Sequence, residues 1–358
     1  DAQYVVQALD SPKQAEMAAA VSNSPLLQQL ATKYMEKASI KEYAYPVVMD
    51  AANRNLAQIY LQERPGSDGL RDLARQIFEA VHHLHSRKAK LMHGDLKTLN
   101  LVRSIMDGKL RLIDFDAFAT IFGGDEKGES YACAKFSSGV LPPEALYQLE
   151  GEKRSKFDAY WADLKDKDQA LWSKVQPKNS KQGKQYVVKT FRTGTDGKPF
   201  KDGLPYELLP ASALLDMWSL GVMLYLLFTG ENLVPVTRDD DFVSGAGMGY
   251  ILEWNDEKRR KKLSQIAHPA EYDLLSRLLS PKPEDRSTES LQALLDNHPF
   301  FNPESKDLNI TAQLKRIEET VKDNNTIVKS NNTLLIVIKD LSLENKTELR
   351  HTREALMK

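Results

Sequence analysis

The chain has 358 residues, a 41% hydrophobic fraction and a net charge of −1, with 49 lysines and arginines against 50 aspartates and glutamates. That is enough apolar material for about two domains with a sizeable core, and the balanced charge gives no reason to expect nucleic-acid or membrane binding through bulk charge. The single cysteine, Cys133, cannot form an internal disulfide or a zinc cluster, which points to a reducing, intracellular, cytoplasmic setting. The longest apolar run, Leu220–Phe228, is about half the roughly 20 residues a membrane helix needs. The numbering opens without methionine directly into the strand-like Tyr4-Val5-Val6, and it stops inside a helical pattern at His351–Lys358, so both ends read as cut. Ser11–Lys37 has helical composition broken at Ser22-Asn23-Ser24-Pro25, and Tyr43–Met49 returns to strand composition. Over Gly69–Ser86 the positions Leu70, Leu73, Ile77, Val81 and Leu84 recur at spacings of three and four, which predicts an amphipathic helix. A short strand over Lys90–His93 follows. Leu99–Val102 and Lys109–Ile113 then flank the turn Met106-Asp107-Gly108 as a hairpin, and Phe122–Gly139 reads as loop.

From about Ala145 to Ser212 the composition changes to Lys-Asp repeats and turn-forming glycines, the mark of an insertion; Trp161, Trp172 and the strand-like Tyr186–Phe191 predict that it packs. Leu214–Phe228 is almost wholly apolar, as a helix buried on all sides would be. Helical segments continue to Pro299. Beyond Pro303, Leu314, Val321, Val328, Leu335, Leu349 and Leu356 fall on one seven-residue series and Ile310, Ile317 and Ile338 on a neighbouring one. This is coiled-coil periodicity, and Asn324, Asn331 and Asn345 on the second series favour a weak or partner-dependent coil. The alternative is one long helix folded back on the domain. The Asn-x-Ser/Thr sites at Asn309, Asn324, Asn331 and Asn345 are short motifs that the cysteine usage argues against reading as glycosylated.

The chemistry is concentrated in His93-Gly94-Asp95-Leu96-Lys97-Thr98-Leu99-Asn100 and Leu112-Ile113-Asp114-Phe115-Asp116. Phosphoryl transfer needs a carboxylate at the attacking hydroxyl, a cation on the transferred phosphate and oxygen ligands for magnesium. Asp95, Lys97, and Asn100 with Asp114 supply one each. The spacing resembles the catalytic and metal-binding loops of eukaryotic protein kinases. Ser137–Glu144 resembles the substrate loop with its Pro-Pro-Glu end, and Asp216-Met217-Trp218-Ser219-Leu220-Gly221 resembles the start of the central kinase helix. Arg286 resembles the arginine that pairs with Glu144, and His298-Pro299-Phe300-Phe301 resembles the end of the domain. Pro46–Ala52 resembles the last small-lobe strand and hinge.

The resemblance implies an α+β, protein-kinase-like fold. It comprises a partial N-lobe over 1–50 (last strands and an inserted helical segment), a mostly helical C-lobe over 51–301 with the insertion at about 145–212, and a coiled-coil helix over 302–358. It implies ATP and Mg2+ as cofactors, with Met49, Asp50, Ala52 and Val102 at the adenine and hinge, and a protein substrate. It also implies that Asp216 and His93 support the catalytic loop. A coiled-coil partner or self-association through 308–358 is expected, with neither nucleic acid nor membrane. Lys97, two residues after Asp95, favours Ser/Thr over Tyr.

More narrowly, His-Gly-Asp-Leu-Lys, Ile-Asp-Phe-Asp-Ala, Lys-Phe-Ser-Ser-Gly-Val-Leu-Pro-Pro-Glu and the Trp-containing insertion resemble the kinase domains of Crinkler effectors and related kinases, which would imply a host-cell location. No glycine-rich loop or Val-Ala-Ile-Lys strand precedes residue 43, so small-lobe phosphate ligands are not identifiable and poor transfer by these residues alone is expected. Tyr4–Leu9 is read as the fourth small-lobe strand. Aligning Val5-Val6-Gln7-Ala8 with the lysine strand, and Glu16 with the helix glutamate, would instead give a pseudokinase scaffold; a small-molecule kinase is a third reading. Lys189 mimics the lysine strand but follows the catalytic loop. Gly94 stands where an arginine would collect activation-loop phosphate, and Asp116 replaces a loop glycine. His82, His83 and His85 are expected as surface and packing residues, and Cys133 as an ordinary loop thiol.

Overall fold

The computed structural model describes residues 4, 5, 25, 51–86, 88–122, 128–194, 198–286 and 289–303, and, further on, 314, 317–319, 321, 322, 324, 325 and 328–332. Met49, Asp50, Glu16 and most of both terminal regions therefore lie outside the described residues. Strand β1 (Ala52–Asn55) turns directly into helix α1 (Leu56–Glu63). Asn55 makes that junction through a capping box: Gln58 N donates to its Oδ1 at 2.9 Å, and Asn55 N donates back to Gln58 Oε1 at 3.1 Å. Helix α2 spans Ser67–His85, starting slightly before the expected Gly69 because the extended Gly66 is its N-cap. Its apolar stripe, Leu73, Ala74, Ile77, Phe78, Ala80, Val81 and Leu84, is buried as the periodicity predicted.

The chain then forms β2 (Leu91–Met92), β3 (Leu101–Ser104), β4 (Leu110–Leu112) and β5 (Ala119–Thr120). β3 lies between β1 and β4, antiparallel to both, and β2 pairs with β5. The expected strand at Leu99 begins two residues later, because Thr98–Asn100 closes a 3-10 turn in which Asn100 N donates to Lys97 O at 3.0 Å. Tyr4 and Val5, the described part of the first expected strand, join this sheet. Leu112 N donates to Tyr4 O at 2.8 Å, Val5 bridges Leu112 in parallel, and Tyr4 stacks on His83 with ring centroids 5.0 Å apart.

The insertion is built of β6 (Leu146–Leu149), α3 (Glu152–Tyr160), α4 (Leu164–Lys167), α5 (Gln169–Val175), β7 (Lys178–Asn179), β8 (Gln185–Val188), β9 (Arg192–Thr193) and β10 (Pro199–Phe200). β8 is central, flanked by β6 and β7, and a satellite core of Leu149, Phe157, Tyr160, Trp161, Val175, Val187 and Tyr206 fills one side. Helix α6 (Ala213–Thr229) is capped by Ser212 and stopped by the left-handed Gly230, and it runs through the main core. Around it pack α7 (Gly245–Leu252), α8 (Asp256–Leu263), α9 (Pro269–Leu278), α10 (Pro283–Arg286) and α11 (Leu291–Asn297). The carbonyls of Phe300 and Phe301 accept from Arg71 and Arg75 of α2 at 2.7 and 2.6 Å, which ties the end of the lobe to its beginning. Described residues between 314 and 332 are helical, with Leu314, Ile317, Val321 and Val328 exposed and Glu319 accepting from the Tyr272 hydroxyl at 2.8 Å. No described helix is long and apolar enough to cross a membrane.

Candidate functional site

Strand β2 delivers the His93–Asn100 loop to the N-terminal end of α6. Asp216, one turn into that helix and 1% exposed, accepts from His93 N at 2.8 Å and Gly94 N at 3.0 Å. His85, at the end of α2, donates to the same carboxylate at 2.8 Å. It is therefore more than the surface or packing residue its sequence position suggested. His93 accepts from Asp95 N at Nδ1 (3.3 Å) and donates from Nε2 to Ile113 O (3.1 Å), joining the loop to the hairpin's far strand. Gly94 has φ +79°, and a Cβ there would lie 2.4 Å from the Ala117 carbonyl oxygen. No arginine fits at that position in this backbone.

Asp95 and Lys97 meet at Ser137. Asp95 Oδ1 accepts from Ser137 N at 3.0 Å, Lys97 Nζ donates to Ser137 Oγ at 2.7 Å, and Lys97 lies 2.9 Å from Asp95 Oδ2. Asn100 donates from Nδ2 to Asp95 O at 2.9 Å, leaving its Oδ1 as the atom able to serve a cation. Ile113 N donates to Asn100 O at 3.0 Å, which sets Ile113, the residue before Asp114, opposite Asn100. Asp114 adopts φ 65°. Burial, then the charges of Asp116 and Asp95, push the Asp114 carboxyl above its ordinary range against the pull of Lys97. Asp116 experiences the same burial, but its 2.5 Å bond to Lys135 wins and holds it low. The Asp114 carboxylate and the Asn100 amide oxygen are hard-oxygen donors of the kind that suits Mg2+, which typically takes one or two carboxylates and keeps the rest of its shell for phosphate and water. No group of three or more His, Cys, Asp and Glu side chains that could hold a metal ion occurs among the described residues.

Residues 15–162 match the protein kinase domain family. Over 75 residues the chain is 33% identical to "Putative serine/threonine-protein kinase gskl-1" of Caenorhabditis elegans, a match covering 21% of this chain and 19% of that relative, so the chain spans about a fifth of that protein.

Glu144 and the fully buried Arg286 form a bidentate pair, Nη1 to Oε1 at 2.7 Å and Nη2 to Oε2 at 3.1 Å, with Arg286 Nε donating to Ser280 O. The guanidinium lies over Trp218, 5.0 Å from the ring centroid. Two residues that the motifs did not single out hold the Ser137–Glu144 loop. Asp241 Oδ1 accepts from Ser138 N at 2.8 Å and Ser138 Oγ at 3.0 Å, and Asp240 O accepts from Gly139 N at 2.8 Å. Burial pushes the Asp240 carboxyl up to about 6, with Lys97 pulling it down and Asp95 adding to the rise. The sequence signal for this pair was only the acidic turn Asp239–Asp241. Of the hinge residues, Ala52 opens β1 opposite Ser104, and buried Val102 sits opposite Asn55. Lys189 follows β8 in the insertion, where its N donates to Ala145 O. Buried Cys133 has its thiol pushed up to about 12 by burial, which keeps it unreactive.

Proposed function

We propose that the protein transfers the γ-phosphoryl group of ATP to serine or threonine hydroxyls of a protein substrate. The observation that carries this reading is the convergence of Asp95 and Lys97 on Ser137, with Asn100 bonded to Asp95 and with Asp114 within electrostatic reach of Asp95 and Lys97. In this reading Asp95 orients the substrate hydroxyl and accepts its proton, and Lys97 neutralises charge on the phosphoryl oxygens. Asn100 Oδ1 and Asp114 would hold Mg2+, which would supply charge neutralisation at the nucleotide phosphates. Ala52 and Val102 serve the adenine side, Met49 and Asp50, expected with them, lie outside the described residues, and 51–301 acts as the large lobe.

The exposed Leu314, Ile317, Val321 and Val328 support a coiled-coil contact by the C-terminal helix, and the lone buried cysteine supports an intracellular setting. The Crinkler-type affiliation rests on the quoted motifs and the insertion. Phosphate transfer from ATP to a generic Ser/Thr protein substrate by the full-length protein tests the reading. Asp95→Asn is expected to lower the rate about 100-fold or more. Equal rates for the two proteins would favour the scaffold reading.

A further inference from the structure

The 145–212 insertion is fastened along the length of the segment that leads from the metal-loop side to the substrate loop. Lys201 reaches Glu129 and donates to the Tyr131 hydroxyl at 2.7 Å, with its ammonium 4.7 Å from the Tyr131 ring centroid. Ala211 N donates to Ser130 O at 2.9 Å, and Ala132 N donates to Leu209 O at 2.8 Å, so a short antiparallel bridge joins Tyr131 to Pro210. Thr190 Oγ1 donates to Cys133 O at 2.7 Å, a buried bond reinforced from behind by the Tyr206 hydroxyl on Thr190 O. Lys174 donates to Phe136 O at 2.9 Å and lies 3.8 Å from Asp241, the carboxylate that holds Ser138. Lys178 donates to Phe242 O at 2.5 Å, fixing the next residue of the same turn. Beside that contact Gly245 starts α7 with a would-be Cβ 2.3 Å from Lys178 O, so any side chain there would push the insertion away.

A segment of this kind is ordered elsewhere by a phosphate bonded to a fixed cation. Here the position for such a cation beside the catalytic aspartate is Gly94, where a side chain does not fit, and the segment's own Lys135 is engaged with Asp116. The bonds from the insertion act on backbone carbonyls and on Asp241, groups that need no modification. We propose that the 145–212 insertion is a built-in clamp that holds residues 129–141 in their substrate-accepting shape without phosphorylation, with Lys174, Thr190 and Lys201 as positioning residues. That the held shape accepts substrate rests on the kinase reading above; the holding itself does not.

Hydrogen exchange of the full-length protein tests the clamp independently of catalysis. The amides of Ala132, Ser138 and Gly139 are bonded in the clamped segment. Lys174→Met and Thr190→Val are each expected to speed exchange across 129–141 by about tenfold or more, with α6 unchanged and Lys174→Arg close to wild type. Exchange there within about twofold of wild type in both variants, or a tenfold loosening of the wild-type segment by phosphatase treatment, would overturn the clamp. In preparations that transfer phosphate, Lys174→Met should raise KM for the protein substrate about fivefold or more and leave KM for ATP within about twofold. A loosened segment with an unchanged protein-substrate KM would overturn its substrate-accepting role. Absence of transfer by wild type would count against the kinase reading alone, because the exchange result still decides the clamp.

Discussion

Asp240 combines a left-handed backbone, φ 59°, with a partly buried carboxyl near Asp95 and Lys97. Its folded-state value, raised by burial from 3.8 to about 6, means that the native protein binds a proton more tightly than the unfolded chain between those limits. Stability is therefore lost as pH rises through that window, and above it the full cost of the buried charge remains. Asn tolerates the left-handed conformation and cannot ionise, so Asp240→Asn should match wild type near pH 4, gain stability up to about pH 6 and keep that gain at higher pH. Urea unfolding midpoints at several pH values check this, and a pH-independent difference would contradict it. The grouping of Asp95, Lys97, Asn100 and Asp114 as a candidate site comes from their spacing along one loop and one hairpin, which is a short-range pattern. His85 was not legible, because its partner Asp216 is 131 residues away and nothing in the helix periodicity marks it.

At the scale of elements, α10 is a single turn whose importance lies in Arg286. That guanidinium is fully buried and joins Glu144, Ser280 and Trp218, so it connects the end of the substrate loop to the centre of α6. Removing it leaves a largely enclosed carboxylate without its partner, which costs more than the net contribution of the intact pair. Arg286→Met is expected to lower stability by about 3 kcal/mol, and Arg286→Lys to recover only part because an ammonium cannot make the bidentate contact. Denaturant midpoints measure both, and a loss below about 1 kcal/mol for the Met variant would show the pair to be dispensable. The sequence marked α2 and α6 well, one by its stripe and the other by its unbroken apolar run. It placed β3 too early, because a 3-10 turn bonded from Asn100 N to Lys97 O took the residues before it.

The described residues form two cores, the main one around α6 and the satellite within the insertion. Trp161 is the largest side chain of the satellite, 1% exposed and edge-on to Tyr160 at 4.9 Å. Trp161→Ala should cost the insertion about 3–5 kcal/mol, opening its sheet in hydrogen exchange while α6 keeps its protection. Simultaneous loss of protection in both would mean that the two cores unfold as one. By itself the sequence carried the resemblance to protein kinases, the candidate loop residues and the expectation of a packed segment after Ala145, because these readings depend on local spacing, periodicity and composition. Only the tertiary structure decided what that insertion packs against, that Asp240 and Asp241 face the substrate loop, and that no side chain fits at position 94. Each of these depends on groups far apart in sequence that meet through single hydrogen bonds or through the close approach of the Ala117 carbonyl to Gly94, and such meetings leave no periodic trace along the chain.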